Sequence, residues 1–524
     1  MIYRYGDYDR EATFDADVVV IGTGAGGAVV GTELAEAGHS VIFVEEGSYI
    51  PTSSFSPWAT ETIPRLYRDA SSTAILGRAP IPYLEGRCVG GSTVLNGGMT
   101  WRAPERVHAR WEVEVAPELS YKAMEPLYQR VEARISAKPQ NPQSVGDDNR
   151  IMVQGGRKMG WHVDLNKRNQ DHCVGTNNCV FGCPTGAKRS TLVSYLPSAF
   201  AHGARCLTEV RVEKLLIEGG RCVGVVGRAV DPHSRKKTVT VTLRARVVVV
   251  ACGAIHTPHL LSAHRLGRPS ELLGRNFTCH PNAKVAAIYP FDIKGWQGVS
   301  QFSKIMEFHG DGIMIAENFI PPGGIAAHLP AHGAKAWELM TRYNQMVLSG
   351  FMLEDSTTGT VSRGPFDMPI SRYELTAYDH RRLIRATRLL AEMHFSMGAE
   401  KVLLPFANHH EATSMDDLKN VDEKRHPIDV CELFTVHMMG TARMGARPES
   451  SVVDLGGQVW DLPGCFVADA SLFPTAIGVN PQVTIMAMAS KVAQRVLDEI
   501  RVWRVATRTT VEPVNAASFG RPAT

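Results

Sequence analysis

No stretch of this chain approaches the roughly 18–20 uninterrupted apolar residues needed to cross a bilayer. The most apolar run, Val247 to Ile255, is half that length and reads as a buried strand. The N-terminus, "MIYRYGDYDREATFDAD", lacks a basic segment followed by an apolar core, so it does not read as a secretory leader. The expectation is a cytoplasmic protein without a membrane span. Ten cysteines in 524 residues are too few for a disulfide scaffold. Seven of them stand singly and read as small core residues. A formal net charge of +3 gives no electrostatic reason to invoke nucleic acid or an acidic membrane as a partner.

What remains is ordinary globular composition, 44% hydrophobic and 21% charged, with enough length for at least two cores. The first strong signal is "DADVVVIGTGAGGAVVGTELAEAGHSVIFVEEG". Its β-branched run Val18 to Ile21 suits a strand buried on both faces. Gly22 to Gly27 break the chain, helix formers follow from Ala28 to Ala37, and a second strand runs from Ser40 to Val44. Similar strands end in glycine at Gly253 and recur near the end in "CFVADASLFP". In the last helix Ile485, Met488, Ala489, Val492, Val496 and Leu497 recur at helical spacing, predicting one buried face.

Nucleotide-domain elements at the start, middle and end require interleaved domains. The predicted class is α/β, a Rossmann-type dinucleotide-binding domain interleaved with an α+β substrate domain on an antiparallel sheet. The first takes residues 1–140, 191–276 and 430–504; the second takes 141–190 and 277–429. A helix is expected from about Asp379 to Met397, and residues 505–524 read as a mobile tail.

Gly22, Gly24 and Gly27 satisfy G-x-G-x-x-G between strand and helix. Gly22 permits the tight turn, Gly24 admits a pyrophosphate, and Gly27 allows helix–strand packing. The helix N-terminus favours the phosphates. Glu45 ends the second strand, placed for a ribose hydroxyl, which disfavours a 2′-phosphate. A second glycine-rich stretch, "GRCVGGSTVLNGGMTWR", carries Ser92 and Asn96 and suits a backbone pressed against a flat, heteroatom-rich ring.

With these pieces the sequence resembles the glucose–methanol–choline (GMC) oxidoreductase family. "GTGAGG", "VEEG", "GRCVGGSTVLNGG", "VVVVACGAIHTPHLL", "LGRNFTCHP", "HMMGTARMG" and "VADASLFPTAIGVNPQVTIMAMA" occur here in the family's order. The resemblance implies FAD under a separate substrate domain. It places Gly22, Gly24, Gly27 and Glu45 at the ADP part, and Arg87, Gly91, Ser92, Asn96 and Gly97 beside pyrophosphate and flavin. It also sets the Val212 backbone at the adenine, Asp469 and Ala470 at the pyrophosphate and ribityl chain, and Pro481 and Gln482 with the cofactor contacts.

The implied reaction is oxidation of an alcohol by hydride transfer to flavin N5. His437, in the family's H-x-x-G-T position, is the base, a role its ordinary pKa suits. Asn480 occupies the partner position, as in cholesterol-oxidase-like members, and bonds the substrate oxygen. Asn480 followed by Pro481 also reads as N-cap and first helical residue, aiming the helix dipole at the anionic edge of reduced flavin. His256, His259, His280, His409 and His410 match no role. Electrons would pass to oxygen or to an acceptor protein or quinone. A lyase or photodecarboxylase of the same fold, and a flavin-binding sensor without turnover, are the rival readings. Phe351, Met352 and Leu353, with the similarity to sterol- and fatty-alcohol-type members, lean toward a bulky or apolar alcohol.

Cys173, Cys179 and Cys183 have C-x5-C-x3-C-P spacing, the ferredoxin run with its second cysteine replaced by Thr176. Three thiolates suit a three-iron, four-sulfur cluster. His172 added to them makes a zinc set. A turn-rich loop with buried thiols needs no metal. All three readings stay open on the sequence.

Overall fold

A computed structural model of the chain describes residues 1–8 and 11–509. In chain order, β1 (Ala12–Ile21), α1 (Ala25–Glu36), β2 (Val41–Val44), β3 (Arg205–Leu207), β4 (Val210–Glu218), β5 (Arg221–Val230), β6 (Lys237–Val250) and α2 (Gly253–Ser262) come first. They are followed by β7 (Asn282–Ile288), β8 (Ile313–Glu317), β9 (Met346–Leu353), α3 (Ala377–Ser396), β10 (Cys465–Val467) and α4 (Gln482–Thr509).

The first sheet orders Ile2–Tyr3, β3, β2, β1, β6, β5 and β4, with β10 also on β6. β1 is parallel to β2 and β6, in register Val18↔Val41 and Val247↔Val18. Val18–Val20 and Val247–Val250 are fully buried. Their branched side chains fill both faces, each contributing about 1.5–3 kcal/mol by leaving water. The first half of β6 turns outward into an antiparallel meander with β5 and β4.

β1 begins earlier than its apolar run, and α1 begins at Ala25 with Gly24 as N-cap. Gly26 and Gly27 therefore lie inside the first helical turn. α4 packs against α1 and the helix Tyr121–Arg134. Its first turns are buried almost all round, beyond the single face that the periodicity predicts. It continues to Thr509, past the boundary assigned to the tail, of which residues 510–524 lie outside those described.

The second sheet has seven strands, all antiparallel, in the order Glu411–Ala412, Lys401–Leu403, β7, β9, β8, Ser303–Ile305 and Val163–Leu165. α3 covers one face, opened by a capping box between Thr376 and Asp379. Val285, Val347, Phe351, Leu353 and Ile313 pack toward it. Residues alternate along a strand, so the other face carries Met352 and Met314, which join the core of the first sheet. Phe351 and Leu353 thus point away from the domain boundary, and of the three residues that suggested an apolar pocket only Met352 faces it. Ile75, Ala79, Ile81 and Tyr83, early in the chain, pack into this second core. Among the described residues no helix is long and apolar enough to cross a membrane.

Candidate active site

β1, β2, β6 and β10 end side by side, and the four turns that follow line one crevice. Gly22 N–H bonds Val44 C=O, Ala251 N–H bonds Ile21 C=O, and Ala468 N–H bonds Val250 C=O. Gly22 sits at φ +98°, where a Cβ would lie 2.4 Å from Ala251 O. At Gly26 it would lie 1.6 Å from Ala468 O, and at Gly27 2.2 Å from Gly22 O. Around Gly24 a Cβ would meet nothing within 4 Å. The turn is therefore tight everywhere except where a phosphate must approach the N-terminus of α1.

Gly91, in the second glycine-rich stretch, closes on that gap; its Cβ would stand 2.9 Å from Gly24 Cα. Gly90 N–H donates to Thr23 Oγ1 at 2.9 Å, and Gly86 N–H to Ser92 Oγ at 2.9 Å. Asn96 Nδ2 donates to Gln482 Oε1, joining this loop to the start of α4, and Asn96 Oδ1 accepts from Gly98 N–H. Gln301, from the substrate domain, packs against Gly97. Arg87 is buried and its Nε has no protein partner, nor does Gln482 Nε2.

Glu45 is buried and accepts from Thr23 N–H and Oγ1 and from Gly47 N–H. Burial raises its pKa against those bonds. Val210 N–H reaches Glu45 C=O at 3.0 Å, bringing β4 and Val212 to the same corner. Asp469 ties the crevice together, accepting from Gly253 N–H, Thr257 Oγ1, Ser471 N–H and Ser471 Oγ. Its carboxylate is fully engaged, so Asp469 and Ala470 offer backbone to any ligand.

His437 and Asn480 meet where the second sheet overhangs the crevice. Asn480 Nδ2 lies 3.2 Å from His437 Nε2, and His437 Nδ1 lies 3.2 Å from Met352 Sδ. An amide N–H can only donate, so Nε2 carries the lone pair and Nδ1 the proton. Burial pushes the His437 pKa down to about 4, keeping the imidazole neutral. Asn480 Oδ1 is buried with no partner.

Asn480 is not the helix cap. Pro481 C=O accepts the Ile485 N–H, the first intrahelical bond, which moves the cap one residue on and frees the Asn480 amide for His437. His280, to which the sequence assigned no role, stands with its ring 5.6 Å from that of His437 and accepts Gly478 N–H at 3.0 Å. Burial and the neighbouring His437 hold it neutral. The only sequence signal for it was its place in "LGRNFTCHP". The other histidines lie elsewhere: His256 beside Glu85, His259 beside Asp367, and His409 stacked on His426, with His410 near Glu411.

Cys173, Cys179 and Cys183 line one small cavity with Arg168 and Lys188. Among the described residues, no group of three or more His, Cys, Asp or Glu side chains is placed to hold one metal ion. Two of the three sulfurs have other partners: Arg168 Nη2 donates to Cys179 Sγ and Lys188 N–H to Cys183 Sγ. The cluster and zinc expectations therefore gain no geometric support. Instead Arg168 reaches Gly97 C=O, and Lys188 Nζ reaches Val94, Asn96 and Cys179 C=O, so this loop buttresses the glycine-rich stretch.

Models of the GMC oxidoreductase family match residues 20–282 and 355–489. The chain is 33% identical, over 93% of its own length and 96% of the relative's, to an uncharacterized GMC-type oxidoreductase, y4nJ, of Sinorhizobium fredii. The chain is a GMC oxidoreductase. This GMC oxidoreductase is also 27% identical to the long-chain-alcohol oxidase FAO1 of Arabidopsis thaliana, over 94% of the chain and 68% of that protein. Its fold matches that of a formate oxidase variant from Aspergillus oryzae, with TM-score 0.71 and 16% identity over 94% and 99% of the two chains. The family makes it an FAD-dependent oxidoreductase. The residues fit that cofactor: the open space at Gly24 and the unpartnered Arg87 Nε, Gln482 Nε2 and Asn480 Oδ1 lie along one crevice.

Proposed function

We propose that this GMC oxidoreductase oxidises an alcohol to an aldehyde or ketone, with His437 as base and Asn480 as its partner. The observation that carries this reading is the His437–Asn480 pair: a neutral imidazole, its Nε2 lone pair turned toward an amide that a substrate oxygen would displace. FAD, bound along the crevice by Gly22, Gly24, Gly27, Glu45, Arg87, Gly91, Ser92, Asn96, Gly97, Val212, Asp469, Ala470, Pro481 and Gln482, supplies the hydride acceptor.

His437 Nε2 takes the hydroxyl proton. Asn480 Nδ2 then donates to the oxygen it would otherwise leave unpaired, holding the carbinol in place. Met352 Sδ, a weak acceptor, keeps the ring proton on Nδ1, and His280 packs against the ring so that it cannot rotate away. Burial excludes water, which favours a neutral base that becomes cationic only as the proton moves.

FAO1 is named a long-chain-alcohol oxidase, which supports the same chemistry here and oxygen as an acceptor. The test is to mix purified protein with a panel of primary and secondary alcohols, with and without oxygen, and follow the oxidised-flavin band. Bleaching without oxygen and recovery on aeration support an alcohol oxidase. Bleaching that only an artificial acceptor reverses supports a dehydrogenase. A flavin band indifferent to every alcohol contradicts both and returns the lyase and sensor readings.

A further inference from the structure

The face of the second sheet that overhangs the crevice carries Lys284, with two further cations on the same face that have partners of their own: Lys304, over the Trp101 ring, and Lys401, paired with Glu411. Asn282 opposes Met352, and two residues along β7 Lys284 opposes Gly350, so Lys284 shares a face with the methionine that touches His437. The two positions are roughly 7 Å apart along the strand. Gly350 leaves room for the lysine stem, since a Cβ there would lie 3.3 Å from Lys284 Cδ. Lys284 Nζ lies 4.8 Å from the centre of the Phe434 ring, and Phe434 pairs its backbone with Asn282 three residues before His437.

Among the described residues no carboxylate lies within ion-pair distance of this ammonium. Glu317, whose charge it feels, lies on the opposite face of the sheet, engaged by Asn149 Nδ2 and by the N–H groups of Gln301 and Phe319. The side chain lies deep, yet part of its surface stays open. Burial pushes it down to about 7, with Glu317 opposing. His328, 5.4 Å from the Phe434 ring, is held neutral by burial and by Lys284 itself, down to about 4, and so adds no second positive charge. The surroundings are otherwise apolar or neutral: Met314, Ala316, Met352 and Phe434. A buried lysine without an anion is costly, and a cation–π contact offsets only part of that cost.

We propose that Lys284 is a specificity residue of this site that pairs with an anionic group, a carboxylate, at the far end of a substrate whose carbinol is held by His437 and Asn480. This rests on the alcohol-oxidation reading and narrows it: the substrate class is hydroxy acids with an apolar chain between the two ends. The apolar walls and this ammonium, which has no carboxylate partner, then serve the two parts of one molecule.

The experiment uses holoenzyme without oxygen. ω-Hydroxycarboxylates from butanoate to decanoate are compared with alkanols of equal chain length by the efficiency with which each bleaches the flavin. The expected result is that the best hydroxy acid exceeds its matched alkanol at least tenfold. K284M removes that ratio, and K284R keeps most of it. In parallel, hexanoate, which carries no carbinol, is titrated against the flavin spectrum. It should bind wild type and K284R at least tenfold more tightly than K284M. Should K284M lose its flavin, discrimination by the wild type between the two series decides alone. Equal efficiency for the two series, or hexanoate binding unchanged in K284M, overturns the proposal. If no compound of either series bleaches the flavin while hexanoate still binds through Lys284, the oxidation reading fails and the anion site stands.

Discussion

At the scale of single residues, the site depends on what each nitrogen of His437 is bonded to. Because burial holds it down to about 4, the base is already neutral over the whole physiological range. The rate of flavin reduction should therefore stay level as pH falls past 6 and decline only as pH drops through about 4, where Nε2 becomes protonated; a rapid pH-jump measurement checks this. The sign for stability runs the same way. An unfolded histidine takes its proton near 6.5, so the contribution of this group is fully present above that pH and is lost as pH falls toward 4. Asn480 separates two explanations of its place in "NPQ". Had it capped α4, N480A would cost about 1 kcal/mol of stability. Bonded instead to His437, N480A should leave the melting temperature nearly unchanged and slow flavin reduction about 10²-fold. That bond could not be read from the sequence, because Asn before Pro is a good cap by local rules and only the tertiary neighbour at position 437 outbids it.

At the scale of elements, the β1–α1–β2 unit was legible because its determinants are local: a branched run, three glycines and a terminal acid. Two neighbouring glycines of this turn, Gly26 outside the motif and Gly24 within it, are opposite in kind. G26A drives a methyl into Ala468 O and should destabilise the protein by about 1–3 kcal/mol or prevent folding. G24A places a methyl in open space, so the protein should fold normally yet retain little FAD. Thermal melts of flavin-free protein, set beside flavin content as purified, separate the two. β9 was less legible. All eight of its residues are buried, so composition does not tell which alternate set faces the crevice, and the backbone assigns Met352 to it and Phe351 and Leu353 to the core. The cysteine loop stayed open for a related reason: spacing along the chain allows a shared ion, whereas Arg168 and Lys188, buried beside it, reach two of the sulfurs and nearby carbonyls. Lys284 had no sequence signature at all, being one charge within an alternating strand.

At the scale of the whole molecule, two sheets with separate cores meet at one crevice, and residues from both line it: Gly24, Asn96 and Gln482 from one side, Gln301 and Met352 from the other. A ligand there links the domains, so adding FAD to flavin-free protein should raise its melting temperature, by the equivalent of about 4 kcal/mol at a thousand times the dissociation constant. The interleaving follows from the chain returning to the first sheet at β3 and again at β10, which the scattered glycine-ended strands already signalled. Everything functional rests on one statement, that the imidazole at 437 receives the proton of an alcohol. The most direct measurement is stopped-flow reduction of the bound flavin, without oxygen, in wild type and H437A by the best alcohol of the panel. The account predicts that H437A keeps its flavin and is reduced about 10²–10⁴-fold more slowly. Reduction of H437A at the wild-type rate, with flavin fully bound, would contradict it.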